Sequence, residues 1–124
     1  MKHFLLVFLG GGIGSGLRFL ISKFLNPYLS SFFLGTFSVN IIGCFLIGLI
    51  LGIATKSAAL NNTFLIFLTI GFCGGFTTFS SFALENYGML REGQIFSFLI
   101  YTLSSILAGI LAVAMGLWLV KFLS

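Results

Sequence analysis

Charge is what this sequence has least of. Of 124 residues, 6 % are Asp, Glu, Lys or Arg, and only two are carboxylates. A soluble domain carries about 25 % charged residues to cover its surface. So few charges exclude an ordinary soluble globular domain. Disorder is excluded more firmly, because disordered chains are poor in hydrophobic residues; here these make up 59 %. There is one His, His3, close to the start of the chain. No Ser/His/Asp or Cys/His set can be assembled, and no carboxylate pair is available for acid/base work, so the sequence does not read as an enzyme. The two cysteines, Cys44 and Cys73, sit singly inside apolar runs and lack metal-motif spacing. They read as small packing residues, the usual role of a buried free thiol. The net charge of +4 comes from scattered cations with no basic stripe, so no nucleic-acid partner is expected.

Long apolar runs remain, and they are continuous rather than alternating, which fits membrane helices and not β-barrel strands. Four runs cover about 4–25, 28–55, 63–90 and 95–123. They predict an all-α integral membrane protein with four transmembrane helices in one domain, 1–124, with the lipid bilayer as its partner. The breaks are Asn26-Pro27, the polar stretch Lys56 to Asn62, and Arg91-Glu92-Gly93-Gln94. Lys2 and the apolar Phe4 to Leu9 resemble a cleaved leader superficially. Arg18 and further apolar residues follow with no mature domain, so this segment reads as the first span. No convincing internal repeat is present. Counted by side, Lys2, Lys56 and Lys121 face Lys23, Arg91 and, near a helix end, Arg18. Orientation follows an excess of Lys and Arg on one side. So even a count leaves two readings: a weak bias still orients the chain, or the same chain inserts both ways and two opposite copies pair.

Polar groups inside hydrocarbon are costly and mark candidate sites. On the second span Thr36 and Asn40 are four apart and share a face. Asn40 is either glue between helices or a ligand contact. On the third span Gly74-Gly75 is followed by Thr77, Thr78, Ser80 and Ser81, interleaved with Phe76, Phe79 and Phe82. Paired glycines permit an unwound backbone, tolerated in a membrane only where it lines a cavity or binds something. The third helix is therefore expected to break in mid-membrane. Phenyl edges carry positive quadrupole charge and can meet an anion. On the fourth span Tyr101, Ser104 and Ser105 offer hydroxyls, read as close packing or as an ion-path lining. Gly10/Gly14 and Gly12/Gly16 form G-x-x-x-G pairs suited to tight helix contact; the spacing of a dinucleotide loop is absent. Arg18 either snorkels or supplies positive potential at a pore mouth. Glu85, the one carboxylate inside a span, is expected to snorkel or to pair with a cation.

Three segments carry a resemblance: Gly11 to Arg18 (GGIGSGLR), Gly35 to Asn40 (GTFSVN) and Gly71 to Phe82 (GFCGGFTTFSSF). Together they resemble the CrcB/Fluc family of fluoride channels, across the whole length and layout of the chain. The resemblance implies an antiparallel, dual-topology homodimer in the bacterial inner membrane, a multi-pass protein exporting fluoride passively through two pores. It implies that Phe79 and Phe82 present ring edges to fluoride and that Asn40 donates hydrogen bonds to it. Thr36, Ser80, Ser81, Tyr101, Ser104 and Ser105 would belong to the polar lining, and Arg18 to a vestibule. Backbone carbonyls of Gly74 and Thr77, from both copies, would hold a structural Na+ at the dimer axis. The alternative is a small multidrug-type proton-coupled exporter. That chemistry needs a membrane carboxylate, expected in the first span, which has none.

Overall fold

A computed structural model describes residues 1–29, 32–56 and 60–123. Four helices are long and apolar enough to cross a membrane, which makes this a multi-pass membrane protein. Helix α1 is Lys2–Leu25 and α2 is Leu34–Lys56. The third span has two parts. Helix α3 covers residues 62–76: it is α-helical over Asn62–Ile66, widens to a π-helix over Phe67–Cys73, and tightens again over Gly74–Phe76. Helix α4 is Phe79–Arg91, and α5 is Ile95–Leu123.

The second helix starts later than its apolar run suggests. Asn26–Tyr28 form a short 3-10 turn, and α2 begins only at Leu34. The cause is a cap from outside the helix. Asn26 Oδ1 accepts from the backbone N–H of Gly35 at 2.7 Å and of Thr36 at 3.2 Å. These donors have no partner inside the helix, so a side-chain oxygen there fixes its start. Gly35 is needed for the fit, since a Cβ on it would lie 2.6 Å from Ser22 Cα. The loop expected at Lys56 to Asn62 falls partly on residues 57–59, and the run from Tyr28 partly on residues 30 and 31; these lie outside the described residues. Between α4 and α5 the chain reverses through Gly93, at φ 74°, with Gln94 N–H donating to Met89 O and Gly93 N–H to Leu90 O. Glycine reaches that left-handed conformation without steric cost.

Glycines set how closely the helices approach. Helix α1 lies on α3 through Gly10 and Gly14: a Cβ on Gly10 would sit 2.6 Å from Phe67 O, and one on Gly14 would strike Phe72 O. Gly75 meets the backbone of Gly11 in the same seam. Gly12 and Gly16 have nothing near them, so only the first of the two G-x-x-x-G pairs is used within the chain. Helix α2 packs most extensively along α5, with Gly48 against Val113, Gly52 against Val120 and Gly116 against Phe45 and Leu49. Backbone contact of this kind suits helices in lipid, where van der Waals fit drives association. The fully buried side chains are few: Tyr101, Val39 and Thr36. Most large apolar side chains point outward.

The expectation that Gly74-Gly75 themselves unwind is not met. Both are helical, and the extended residues are Thr77 (φ −83°, ψ 160°) and Thr78 (φ −147°, ψ 123°). The glycines serve packing instead. Gly75 has no room for a methyl group against Gly11, and overpacking costs about 1–3 kcal/mol. Gly75→Ala is therefore expected to lower the thermal unfolding midpoint in detergent. Gly88→Ala, with nothing within 4 Å of its Cβ position, is expected to leave it unchanged or raise it slightly.

Candidate functional site

The interruption at Thr77–Thr78 is held by side chains. Asn40 on α2 clasps the Thr78 peptide from both sides: its Oδ1 accepts from Thr78 N–H at 2.7 Å, and its Nδ2 donates to Thr78 O at 3.1 Å. The Thr78 hydroxyl oxygen accepts from Ser81 N–H at 3.1 Å, capping α4. It also donates to Ser81 Oγ at 3.1 Å and lies 3.4 Å from Ser80 Oγ. The result is a short extended stretch in which the Thr78 N–H and carbonyl are paired from a neighbouring helix rather than within their own, as hydrocarbon requires.

The arrangement releases several carbonyls from the helix ladder, those of Gly74 and Thr77 among them. In a continuous helix Gly74 O would accept from Thr78 N–H, which here goes to Asn40. Thr77 O would accept from Ser81 N–H, which here goes to the Thr78 hydroxyl. Arg18 Nη1 approaches Thr77 O at 3.5 Å, a long contact. The residues expected to hold Na+ thus present hard carbonyl oxygens freed from the helix ladder, the donor type that alkali cations take.

A cavity of about 330 Å³ opens beside the break. Asn40, Thr77, Thr78, Phe79, Phe82 and Ser105 line it, with Cys44 and Ile106. Phe79 is 79 % exposed, and its ring stands 6.1 Å from that of Phe82, tilted by 49°. Ser105 Oγ is buried without a hydrogen-bond partner among the described residues. Asn40 has two N–H donors, one of which is on Thr78 O. The cavity therefore offers an amide N–H, an unpaired hydroxyl and two phenyl rings in one place.

A second polar group lies behind Phe82. Glu85 accepts from Thr36 Oγ1 at Oε1 and from Tyr101 OH at Oε2, both at 2.6 Å. Tyr101 is 0 % exposed; its ring lies 5.3 Å from Phe82 and 5.0 Å from Phe32, the latter edge-on at 81°. Among the described residues Glu85 pairs with no cation, contrary to one of the two expectations: its partners are hydroxyls from α2 and α5. No local sequence signal marks this trio, because its members lie 49 and 16 residues from Glu85.

Of the residues singled out from sequence, Asn40, Thr77, Phe79, Phe82 and Ser105 come together at the cavity. Thr36 and Tyr101 join Glu85 instead. Ser80 and Ser81 sit at the Thr78 cap. Ser104 Oγ bonds back to its own helix, at Ile100 O and Tyr101 O. Sequence reasoning did not single out Asn86, whose Nδ2 donates to Phe82 O at 3.0 Å and whose Oδ1 accepts from Thr102 Oγ1 at 2.9 Å. This amide ties α4 to α5 next to the cavity. A polar residue four after Phe82 was the available signal.

Removing either hydroxyl donor strips one hydrogen bond from a half-buried carboxyl group, at about 1–3 kcal/mol. Thr36→Val and Tyr101→Phe are each expected to destabilise the protein by that order. The double variant should cost more than the sum, because it leaves Glu85 with neither partner. Thermal unfolding of all four species checks this.

Comparison with known proteins bears on the same residues. The family model described as CrcB-like protein, Camphor Resistance (CrcB), matches residues 5–117. A protein named fluoride-specific ion channel FluC from Azobacteroides pseudotrichonymphae is 45 % identical over 123 residues, covering 98 % of each chain. One of the same name from Phocaeicola vulgatus is 46 % identical over 120 residues, covering 96 % of this chain and 98 % of its own. A third, from Helicobacter pylori, is 46 % identical over 121 residues, covering 95 % of this chain and 92 % of its own. With matches of this extent to four helices built to cross a membrane, the chain belongs to the CrcB family.

Proposed function

We propose that the chain is a fluoride-selective channel that lets fluoride leave the cell passively, as the names of its relatives suggest. The observation that carries this reading is the cavity at Thr77–Thr78. There Asn40, Ser105, Phe79 and Phe82 converge in a chain with almost no charge. Fluoride is small and holds its water tightly, so a path for it must replace water with hydrogen-bond donors. The remaining Asn40 N–H and the Ser105 hydroxyl supply donors. The edges of Phe79 and Phe82 add weak positive potential and exclude water. Larger, more weakly hydrated anions gain less from such donors.

In this reading two copies pair antiparallel in the inner membrane as a homodimer, which agrees with the even distribution of cations between the two sides. Each of two pores draws on both copies. The third span is broken in mid-membrane at Thr77–Thr78. The Gly74 and Thr77 carbonyls of each copy would hold Na+, whose charge lowers the cost of an anion in low dielectric. Thr36 and Tyr101 would act from behind the path, holding Glu85 next to Phe82 through their hydroxyls, with Ser80, Ser81 and Ser104 as further hydroxyls. Arg18, next to Thr77, raises the local positive potential at a vestibule. A proton-coupled exporter is less well supported, since α1 carries no carboxylate.

Fluoride efflux from liposomes, read with a fluoride electrode and controlled with chloride-loaded vesicles, tests the function. Rapid fluoride release with little chloride release is expected. Loss of a donor to the ion is worth about 1.4 kcal/mol or more, a tenfold change. Asn40→Ala and the double variant Phe79→Ile/Phe82→Ile are therefore expected to slow efflux at least about tenfold; the double variant should keep its unfolding midpoint, whereas Asn40→Ala should also lower it, because it releases the Thr78 peptide. No efflux above empty vesicles from folded protein rejects the channel reading. The cation reading is tested separately: the unfolding midpoint should rise with Na+ and not with equal K+, and an equal response to both rejects it.

A further inference from the structure

The cavity beside the break has α4 on one side, through Phe79 and Phe82, and α5 on another, through Ser105 and Ile106. How these walls face each other depends on how α4 sits along α5, the helix it packs on most. Asn86 lies one turn beyond Phe82 on α4, and Thr102 lies one turn before Ser105 on α5. The Thr102 hydroxyl donates to Asn86 Oδ1 at 2.9 Å, so the walls are joined one turn from the cavity on both helices. Asn86 Nδ2 donates back to Phe82 O at 3.0 Å, which ties the same side chain to the residue that carries the ring. The preceding residues repeat the crossing, with Glu85 accepting from the Tyr101 hydroxyl at 2.6 Å. An amide at this position has a cost. Asn86 is 7 % exposed and Met89, further along the same buried face, 3 %. An apolar residue would fill the seam with no polar atoms to satisfy. In lipid, however, an apolar seam slides cheaply, because neighbouring registers bury the same kind of surface. A hydrogen bond is short and directional and selects one register, as a single buried Asn does in coiled coils.

We infer that Asn86 is a positioning residue for the ion path: bonded to Thr102 and to Phe82 O, it fixes the Phe82 ring against the Ser105 hydroxyl across the cavity. The inference rests on the channel reading of that cavity. Asn86 acts through Phe82 rather than by touching the ion. The Phe82 ring is backed by Tyr101, with ring centres 5.3 Å apart, so a shift of α4 along α5 moves the ring against its backing as well. A site works only while such supports hold its groups to a fraction of an ångström. Once the register is free, a small anion that relies on close donors loses more than a large one, which relies on them less. Asn86 thereby bears on selectivity as well as on rate.

The test reconstitutes the full chain in liposomes and compares wild type with Asn86→Leu, Thr102→Val and Thr102→Ser. Leu keeps the branched shape of Asn without its polar atoms, Val does the same for Thr, and Ser keeps the donor. Per folded protein, Asn86→Leu and Thr102→Val are expected to slow fluoride efflux about fivefold or more, the effect of one ordinary hydrogen bond. Both should also lower the ratio of fluoride to chloride release. Thr102→Ser should behave as wild type, and the double variant Asn86→Leu/Thr102→Val should be no worse than Asn86→Leu alone. Para-fluorophenylalanine in place of Phe82 reads the ring itself by fluorine NMR in detergent. Its line is expected to shift or split in Asn86→Leu and Thr102→Val and to stay put in Thr102→Ser. A residue that serves stability alone would lower only the unfolding midpoint. Folded variants with wild-type rate and selectivity therefore overturn the proposal, as does an unmoved fluorine line. Wild type that passes no fluoride rejects the channel reading, and the fluorine line then still decides whether Asn86 places Phe82.

Discussion

Everything at the centre of this protein depends on one amide holding one peptide. Asn40 donates to the carbonyl and accepts from the N–H of Thr78. Without it two backbone polar groups would stand unpaired in a region flanked by hydrocarbon, where each costs several kcal/mol. The clasp makes the extended pair Thr77–Thr78 affordable, and the extended pair sets the rest. It ends α3 at Phe76 and lets α4 start at Phe79. It aims Phe79 and Phe82 into one cavity and leaves the Gly74 and Thr77 carbonyls outside the helix ladder. A serine or alanine at position 40 cannot reproduce this, because the clasp needs donor and acceptor on one rigid plane.

Around this centre the chain is held by contact rather than by a large core. Few side chains are fully buried, and glycines bring backbones together at the α1–α3 and α2–α5 seams. In lipid, burying more apolar surface brings little gain, since the surroundings are as apolar as the interior. Close fit and satisfied hydrogen bonds do the work instead. Asn26 at the start of α2, Glu85 between α2 and α5, and Asn86 between α4 and α5 are fasteners of this kind. The exposed apolar faces of all four spans then need only lipid or another copy beside them.

Much of this was legible from residue order. Four apolar runs separated by Asn26-Pro27 and Arg91-Glu92-Gly93-Gln94 mark four spans, because a membrane enforces length and apolarity directly. Asn40, Phe79 and Phe82 stood out because polar groups and ring clusters are conspicuous against such a background. What stayed hidden was long-range. The glycine pair Gly74-Gly75 looked like the break, and locally nothing says otherwise; only the proximity of Gly11 shows that Gly75 is there for packing. The true break lies three residues on from Gly74 and is stabilised from 38 residues away. Glu85 looked like a helix-end carboxylate, since Thr36 and Tyr101 reach it only in three dimensions. The start of α2 is hidden for the same reason: the residue that caps it precedes the capped Gly35 by nine positions.

The π-helical stretch Phe67–Cys73 has an evolutionary consequence. A π-helix carries more residues per turn than an α-helix over the same rise of the backbone, so the stretch is overstocked with chain. Deleting one residue there would tighten it to ordinary α-helix while Asn62–Ile66 and Gly74–Phe76 kept their phase against α1. Deleting one residue between Phe79 and Glu85 would instead rotate everything beyond it by about 100°. The third span thus contains one place where its length can change by a residue at small structural cost, directly beside one where it cannot.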